Sequence, residues 1–347
     1  MISKRIFIIC LIIIIISTHL FSYRYIEHFE GVTSLVKYYD KGNLFPFRIL
    51  CDENRNPLPI VGLSAFLRSN EDIDHFNEFI ENDIKIIGIT AYKSFPRPIL
   101  DNSADNQMNN YFDYLGKIKN WLCCFKDPYH YGFTSKHNLI DISESDYYDI
   151  DESSPVEKKY DFIYSCISDD KTSCSLDGWN AINRNFKLAL ACLPILINEY
   201  KMKILIVGRL NCDLEEKYGD SIEIVDVLPY HEFQTKIKES RFLFIPNIFD
   251  ASPRVICEAI IKDVPVLMNK NILCGSKYIN YETGEFFIDE NDVRVALNIL
   301  LKKKDKISPK KWWKENYSRS KAGIKLRNFL YPEYKDLLEN VKEVHMY

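Results

Sequence analysis

The stretch that decides the fold is Phe244–Phe287, FIPNIFDASPRVICEAIIKDVPVLMNKNILCGSKYINYETGEFF. A buried strand runs into a loop carrying Asp250, and a helix opened by Ser252-Pro253 follows and carries Glu258. Serine is a good N-cap, and proline suits the first helical position, where no backbone N–H is needed. A second apolar strand, Val264–Met268, and a turn at Gly275 complete the unit. Two carboxylates straddling a strand-to-helix turn suit the hydroxyls of a sugar nucleotide.

The same alternation extends outward from this block. Asp161–Ile167, Lys203–Val207 (ending in Gly208-Arg209), Ile222–Val227 and Arg241–Ile245 read as strands. Trp179–Tyr200, Tyr230–Glu239, Pro253–Lys262 and Asn291–Lys303 read as helices; in the first, Phe186, Leu190, Leu193 and Ile197 recur at helical spacing. Continuous apolar strands alternating with helices imply a parallel sheet covered on both faces. Lys310–Asn316 and a helix over Lys321–Glu343 close the chain. Upstream, Asp72–Glu81 reads as a helix, Ile84–Ile89 as a strand, Thr90–Pro98 as a loop, Asn109–Trp121 as a helix and Asn138–Ile142 as a strand. Glu144–Ser154, acidic and Ser-rich with Pro155 next, has linker chemistry. The expected organisation is a signal anchor over 1–22, a stem over 23–45, an N-terminal domain over 46–155, a second domain over 156–305 and a helical closure over 306–347.

The chain has 347 residues, room for two ordinary domains, and its 46% hydrophobic content can fill sizeable cores. The net charge of −4, with lysines matched by acids, argues against a dedicated nucleic-acid binder. Ten cysteines form no CxxC pair and no zinc-ligand spacing, so they are expected as core thiols rather than disulfides or metal ligands. Lys4 and Arg5 precede the isoleucine-dominated run Ile6–Ser17, which is shorter than the ~20 residues of a comfortable span. No small-x-small cleavage site stands before Tyr23. The expectation is an uncleaved type II anchor, with the rest of the chain across the membrane by the positive-inside rule; a cleaved secretory signal is the alternative.

In an open α/β sheet, ligands bind outside the carboxyl ends of the strands, where Asp250 falls. The helix opened at Ser252 offers free amides and the positive end of its dipole to a phosphate, and Arg254 adds a charge-assisted contact. Glu258 lies roughly 7.5 Å past Pro253 along the axis, where it can accept from two vicinal ribose hydroxyls. Singly, a mid-helix glutamate is usually a solvated residue, Asp250 a turn former and Ser252-Pro253 plain capping. Their combination with Pro265-Val266 and Gly275 points to a site. No GxGxxG follows any strand, which argues against a nicotinamide enzyme.

The block Asp250–Glu258 with Ala259, Pro265-Val266, Gly275 and Thr283-Gly284 resembles the donor-site signature of retaining glycosyltransferases of the GT-B fold, in particular family 4, the glycosyl transferases group 1 family. The pattern there is E-x7-E and A, then GxPV, a glycine-rich turn and TG. The resemblance runs from about Asp161 to Leu301, and its wording is similar to a divergent branch in large DNA viruses and algae. It implies an α/β chain with two Rossmann-like domains facing a cleft, the N-terminal one small and divergent, preceded by the membrane anchor. It also implies transfer of a glycosyl unit from a nucleotide-diphosphate sugar to a glycan, protein or lipid hydroxyl, with no protein nucleophile, no cofactor and no metal. Glu258 matches the residue that holds the ribose, and Asp250 the one that contacts the donor sugar, one methylene shorter than the usual glutamate. Ser252, Gly275 and Gly208 fall at donor-binding positions. Asp177 replaces the family's phosphate-binding lysine, and the usual arginine after the first strand is missing, which leaves Lys171, Arg184, Arg209, Arg254 and Lys277 to neutralise the diphosphate, Arg254 foremost.

The acceptor side falls to the first domain. His130 can contact sugar or act as a base, although a lone loop histidine usually does neither. Glu144-Ser145-Asp146 reads as a solvated linker before it reads as a cleft wall, and Tyr92, Phe95 and Trp121 as core before sugar platforms. Competing readings are a sugar-nucleotide epimerase or inverting exostosin-like transferase on the same fold, and a non-catalytic nucleotide-sugar-binding module.

Overall fold

The computed structural model describes residues 35, 44–91, 93–97, 112–167, 173–208, 210, 212–250 and 254–346. The expected anchor and most of the stem lie outside the described residues; among those described, no helix is long and apolar enough to cross a membrane.

The second sheet holds β6 (Tyr160–Ser165), β7 (Ile204–Val207), β8 (Ile222–Val225), β9 (Ser240–Ile245), β10 (Val266–Asn269) and β11 (Gly284–Phe287). All pairings are parallel, in the order β11-β10-β9-β6-β7-β8. This is the doubly wound order, and its direction reverses between β6 and β9. Phe162, Phe242, Phe244 and Leu267 fill one face with the helices Phe186–Pro194 and Val293–Lys303; Ile163, Leu243, Ile245 and Val266 fill the other with the helix Arg254–Ile260. Burial on both faces is why these strands read as unbroken apolar runs.

The first sheet is differently wound. β1 (Phe47–Cys51), β2 (Pro57–Leu63), β3 (Lys85–Ile89), β4 (Asn120–Leu122) and β5 (Asn138–Ile140) lie in chain order, and β12 (His345–Met346) adds beside β1. The β12–β1 and β1–β2 pairs are antiparallel and the rest parallel. Among the described residues this sheet has no reversal of strand order, so the expectation of two Rossmann-like domains holds in topology only for the second. The helix expected over Asn109–Trp121 is also corrected: only Tyr114–Lys117 is helical within the described part, and β4 follows. Trp121 belongs to that strand because its ring occupies the space left by Gly88 on β3, where an added Cβ would lie 2.0 Å from the indole. Phe95 and Trp121 are fully buried core, packed ring against ring, whereas Tyr92 lies outside the described residues.

The C-terminal closure joins both halves. The helix Pro309–Asn316 packs Trp313 against the second domain, and the helix Arg319–Leu330 packs Ala322, Leu326 and Leu330 on Leu50, Leu58 and Ile60 of the first. That helix stops well short of the expected Glu343. Pro332 has no N–H to continue the helical ladder, and the chain returns to the sheet edge as β12. The cysteine reading is corrected too: Cys174 and Cys212 form a disulfide, while Cys51, Cys123, Cys192, Cys257 and Cys274 are the core thiols expected.

The expected Glu144–Ser154 linker is built in at its first turn. Ser143 caps the short 3-10 turn Glu144–Tyr147 in a capping box, and Ser145 and Asp146 are buried. Asp146, 2% exposed, accepts from Lys277 Nζ at 2.8 Å and from the Tyr278 hydroxyl at 2.5 Å, both on the second domain. Lys277 Nζ also donates to Asp141 Oδ1 at 2.9 Å and to the Asp141 carbonyl at 3.3 Å. An ammonium has three N–H bonds, and all three are therefore engaged. Burial alone would lower the Lys277 pKa, but Asp146 and Asp141 raise it above the usual lysine range. A pKa raised by folding contributes stability in full below the unfolded value of about 10.4 and loses it as pH rises through the folded value. Lys277→Met, which strands a buried carboxylate, is expected to cost about 3–5 kcal/mol. Urea unfolding should show that difference constant across neutral and mildly alkaline pH, shrinking only above about pH 10.

Candidate functional site

The strand order reverses between β6 and β9, where doubly wound sheets bind ligands at the carboxyl ends of their strands, and the loop Pro246–Asp250 leaves β9 there. Several side chains fix this loop. Asn185 and Asn269 both donate to the Pro246 carbonyl, at 3.1 and 3.0 Å, and the Ile248 amide donates to the Asn183 carbonyl at 3.1 Å. Asn183 has its carbonyl to offer because the helix expected over Trp179–Tyr200 is broken. It runs Trp179–Asn183, then turns at Asn185 with φ of 50°, and resumes as Phe186–Pro194 and a wider turn, Ile195–Glu199. Asparagine tolerates this left-handed conformation better than most residues.

The break also aims Arg184. Its Nη1 donates to Asp250 Oδ2 at 2.6 Å, and Asn247 Nδ2 reaches the same oxygen at 3.0 Å. The Asp250 side chain is 14% exposed and that of Arg184 36%. Arg184, expected as a free phosphate ligand, is thus the partner of the shortened acid, and a bound diphosphate would have to share it. The Asn183 side-chain amide and the Asn247 side-chain oxygen Oδ1 are buried with no hydrogen-bond partner among the described residues. Gly208 closes β7 against β6: its φ is 141°, and a Cβ there would fall 1.8 Å from the Cys166 carbonyl oxygen, so only glycine fits.

Glu258 lies in the helix Arg254–Ile260 and is 6% exposed. Its Oε1 accepts from the Tyr148 hydroxyl at 3.0 Å. Tyr148 comes from the segment between the domains, whose polar composition reads as linker and gives no hint of a site. Tyr230, at the first turn of the helix Tyr230–Lys238, is 61% exposed, and its hydroxyl lies beside that of Tyr148. Burial, with the Glu258 charge and Tyr230 next in weight, raises the Tyr148 pKa far above the phenol range, so Tyr148 stays a donor. Burial and Glu258 also raise Tyr230.

The other expected residues are dispersed. Arg254 is exposed at the start of its helix, close enough to act electrostatically on Tyr230. Gly275, with φ of 85°, opens the turn Ser276–Tyr278, and with Lys277 it lines an interdomain cleft of about 320 Å³ whose other wall is Cys123–Lys126, Pro128, Leu139 and Asp141. Lys277, expected at the diphosphate, is instead consumed by the interdomain carboxylates. His130 is exposed on the 3-10 turn Pro128–Tyr131 and does not line that cleft. Ser252, Lys171 and Arg209 lie outside the described residues. Among the described residues, no group of three or more His, Cys, Asp or Glu side chains is arranged to hold a metal.

No protein-family model matches the sequence, and no curated protein matches it. Solved structures do. A glycosyltransferase from Rickettsia africae ESF-5 superposes with a TM-score of 0.53 at 17% identity, over 81% of this chain and 77% of that one. The lipopolysaccharide outer core galactosyltransferase WaaB gives 0.52 at 12% identity, over 76% and 74%. The pneumococcal O-GlcNAc transferase GtfA, solved with UDP and GlcNAc, gives 0.52 at 11% identity, over 76% and 55%. The chain thus spans about half the length of GtfA, and likewise 51% of another match, TarM. At such identities the likeness is one of fold, and the fold is that of the GT-B glycosyltransferases.

Proposed function

We propose that the chain is a glycosyltransferase that moves a sugar from a nucleotide-diphosphate donor to an acceptor hydroxyl, with retention. The observation that carries this reading is the coincidence of Asp250 and Glu258 with the loop and helix that leave β9 at the strand-order reversal of a GT-B second domain. In this reading Glu258 accepts from the ribose hydroxyls. Asp250, steadied by Arg184 and Asn247, accepts from a donor-sugar hydroxyl. Arg184 and exposed Arg254 share their charge with the departing diphosphate. The transition state is oxocarbenium-like and the leaving group a diphosphate, so catalysis consists of positioning and charge stabilisation. No metal and no cofactor is required, and the acceptor, a glycan, protein or lipid, enters from the first domain across the Gly275 cleft.

One observation favours a second reading. Arg184 is already compensated by Asp250, which weakens its pull on a diphosphate and suits a nucleotide-sugar-binding module with little turnover. A thermal-shift screen of UDP, GDP and ADP sugars identifies the donor, and turnover with and without acceptors separates transfer, epimerisation and mere binding.

Glu258→Gln preserves volume and removes the charge. It is expected to lower kcat/KM at least about a hundredfold, the loss of a charged contact and its positioning, while the circular dichroism spectrum stays that of the wild type. Wild-type activity in this variant would exclude Glu258 from the site. We also retain the N-terminal run as a type II anchor. Full-length protein should then leave membranes only with detergent, and secreted protein beginning near Tyr23 would show a cleaved signal instead.

A further inference from the structure

We propose that Tyr148 is a positioning residue, which fixes the Glu258 carboxylate for the donor ribose and ties it to the segment between the domains. The inference rests on the reading of Glu258 as the ribose-binding group. A glutamate side chain has several rotatable bonds, and holding it in one rotamer costs entropy that a ligand must otherwise supply. Here the cost is met before the ligand arrives. The Tyr148 hydroxyl donates to Glu258 Oε1 at 3.0 Å, within a pocket that leaves Glu258 6% exposed. One oxygen is thereby oriented, and the remaining acceptor capacity of the carboxylate is turned to a pair of vicinal hydroxyls.

Tyr148 is itself held on both sides. Its carbonyl accepts from the Trp313 indole at 2.8 Å, and three residues on, the Asp151 amide donates to the Ile261 carbonyl at 3.2 Å, just beyond the helix that bears Glu258. Lys238 and Lys262 pair with the Asp151 carboxylate at 3.8 and 3.7 Å. On the other side Asp146 anchors the same segment to Lys277 and Tyr278. The phenol therefore reaches Glu258 from a strip of chain clamped at several points, so a shift between the domains would be felt at the carboxylate.

The test uses the purified protein with UDP, GDP or ADP, whichever most raises the wild-type melting temperature, and the matching 2′-deoxynucleotide. Tyr148→Phe keeps the ring and removes the donor. It should weaken nucleotide binding by calorimetry about tenfold, raise the donor KM similarly and leave kcat within about threefold, the signature of lost uniform binding. Its melting temperature without nucleotide should fall by only about 2–8 °C, the cost of one lost hydrogen bond to a buried acceptor, with unfolding still cooperative. The penalty should shrink for the 2′-deoxynucleotide, which a merely structural role would not produce. Tyr148→Phe in a Glu258→Gln background should cost nothing further, since Tyr148 acts through Glu258. Unchanged binding by Tyr148→Phe, or losses that simply add in the double variant, would overturn the positioning role alone. Unchanged binding by Glu258→Gln would overturn the ribose assignment as well.

Discussion

A single buried carboxylate, Asp146, organises the relation between the two sheets. An ion taken out of water is tolerated only where charge and hydrogen bonds replace its hydration. Asp146 receives Lys277, the Tyr278 hydroxyl and the Ser143 amide, so two of its partners come from the opposite domain. Those two residues lie in the turn opened by Gly275, and that turn is one wall of the interdomain cleft. The turn and the interdomain segment are therefore fixed together, and the cleft between them is shaped by the need to satisfy one charge. Tyr148, two residues past Asp146, then falls beside Glu258.

A second constraint acts inside the doubly wound domain. The helix that begins at Trp179 could have run straight, but the left-handed turn at Asn185 interrupts it. The interruption frees the Asn183 carbonyl for the loop after β9 and turns Arg184 toward Asp250. Backbone strain at Asn185 is thus offset by the hydrogen bonds that hold that loop. An aspartate, shorter than a glutamate by one methylene, is brought into place by an arginine and an asparagine on either side.

The second domain was legible in most of its elements because its inner strands are covered on both faces, which makes each a continuous apolar run, and its long helices show an apolar stripe; the edge strand β11, only half-buried at its centre, and the break in the Trp179 helix left no such pattern. Glu258 was legible from its spacing to Asp250 and from the Pro265-Val266 strand beyond it. The first domain was poorly legible for equally physical reasons. Its strand β4 has three residues and β12 two, too short for any period to register. Glu144–Ser154 looked like linker because its composition is polar, yet Asp146, Tyr148 and Asp151 within it are tied to partners far away in sequence. The Cys174–Cys212 pair, 38 residues apart, carries no local signal either.

The sequence alone determined the features that local pattern sets: the alternation of strands and helices, the strand–loop–helix unit bearing Asp250 and Glu258, and the glycine at position 208. Each of these depends on neighbours along the chain or on backbone sterics. Only the tertiary structure decided the order of the strands, the loss of Lys277 to Asp146 and Asp141, the capture of Arg184 by Asp250 and the arrival of Tyr148 at Glu258. These are charge and hydrogen-bond pairings between residues from 66 to 136 positions apart. Which partner such a group finds is set by burial and the geometry of the assembled core, and neither is written in the spacing of residues along the chain.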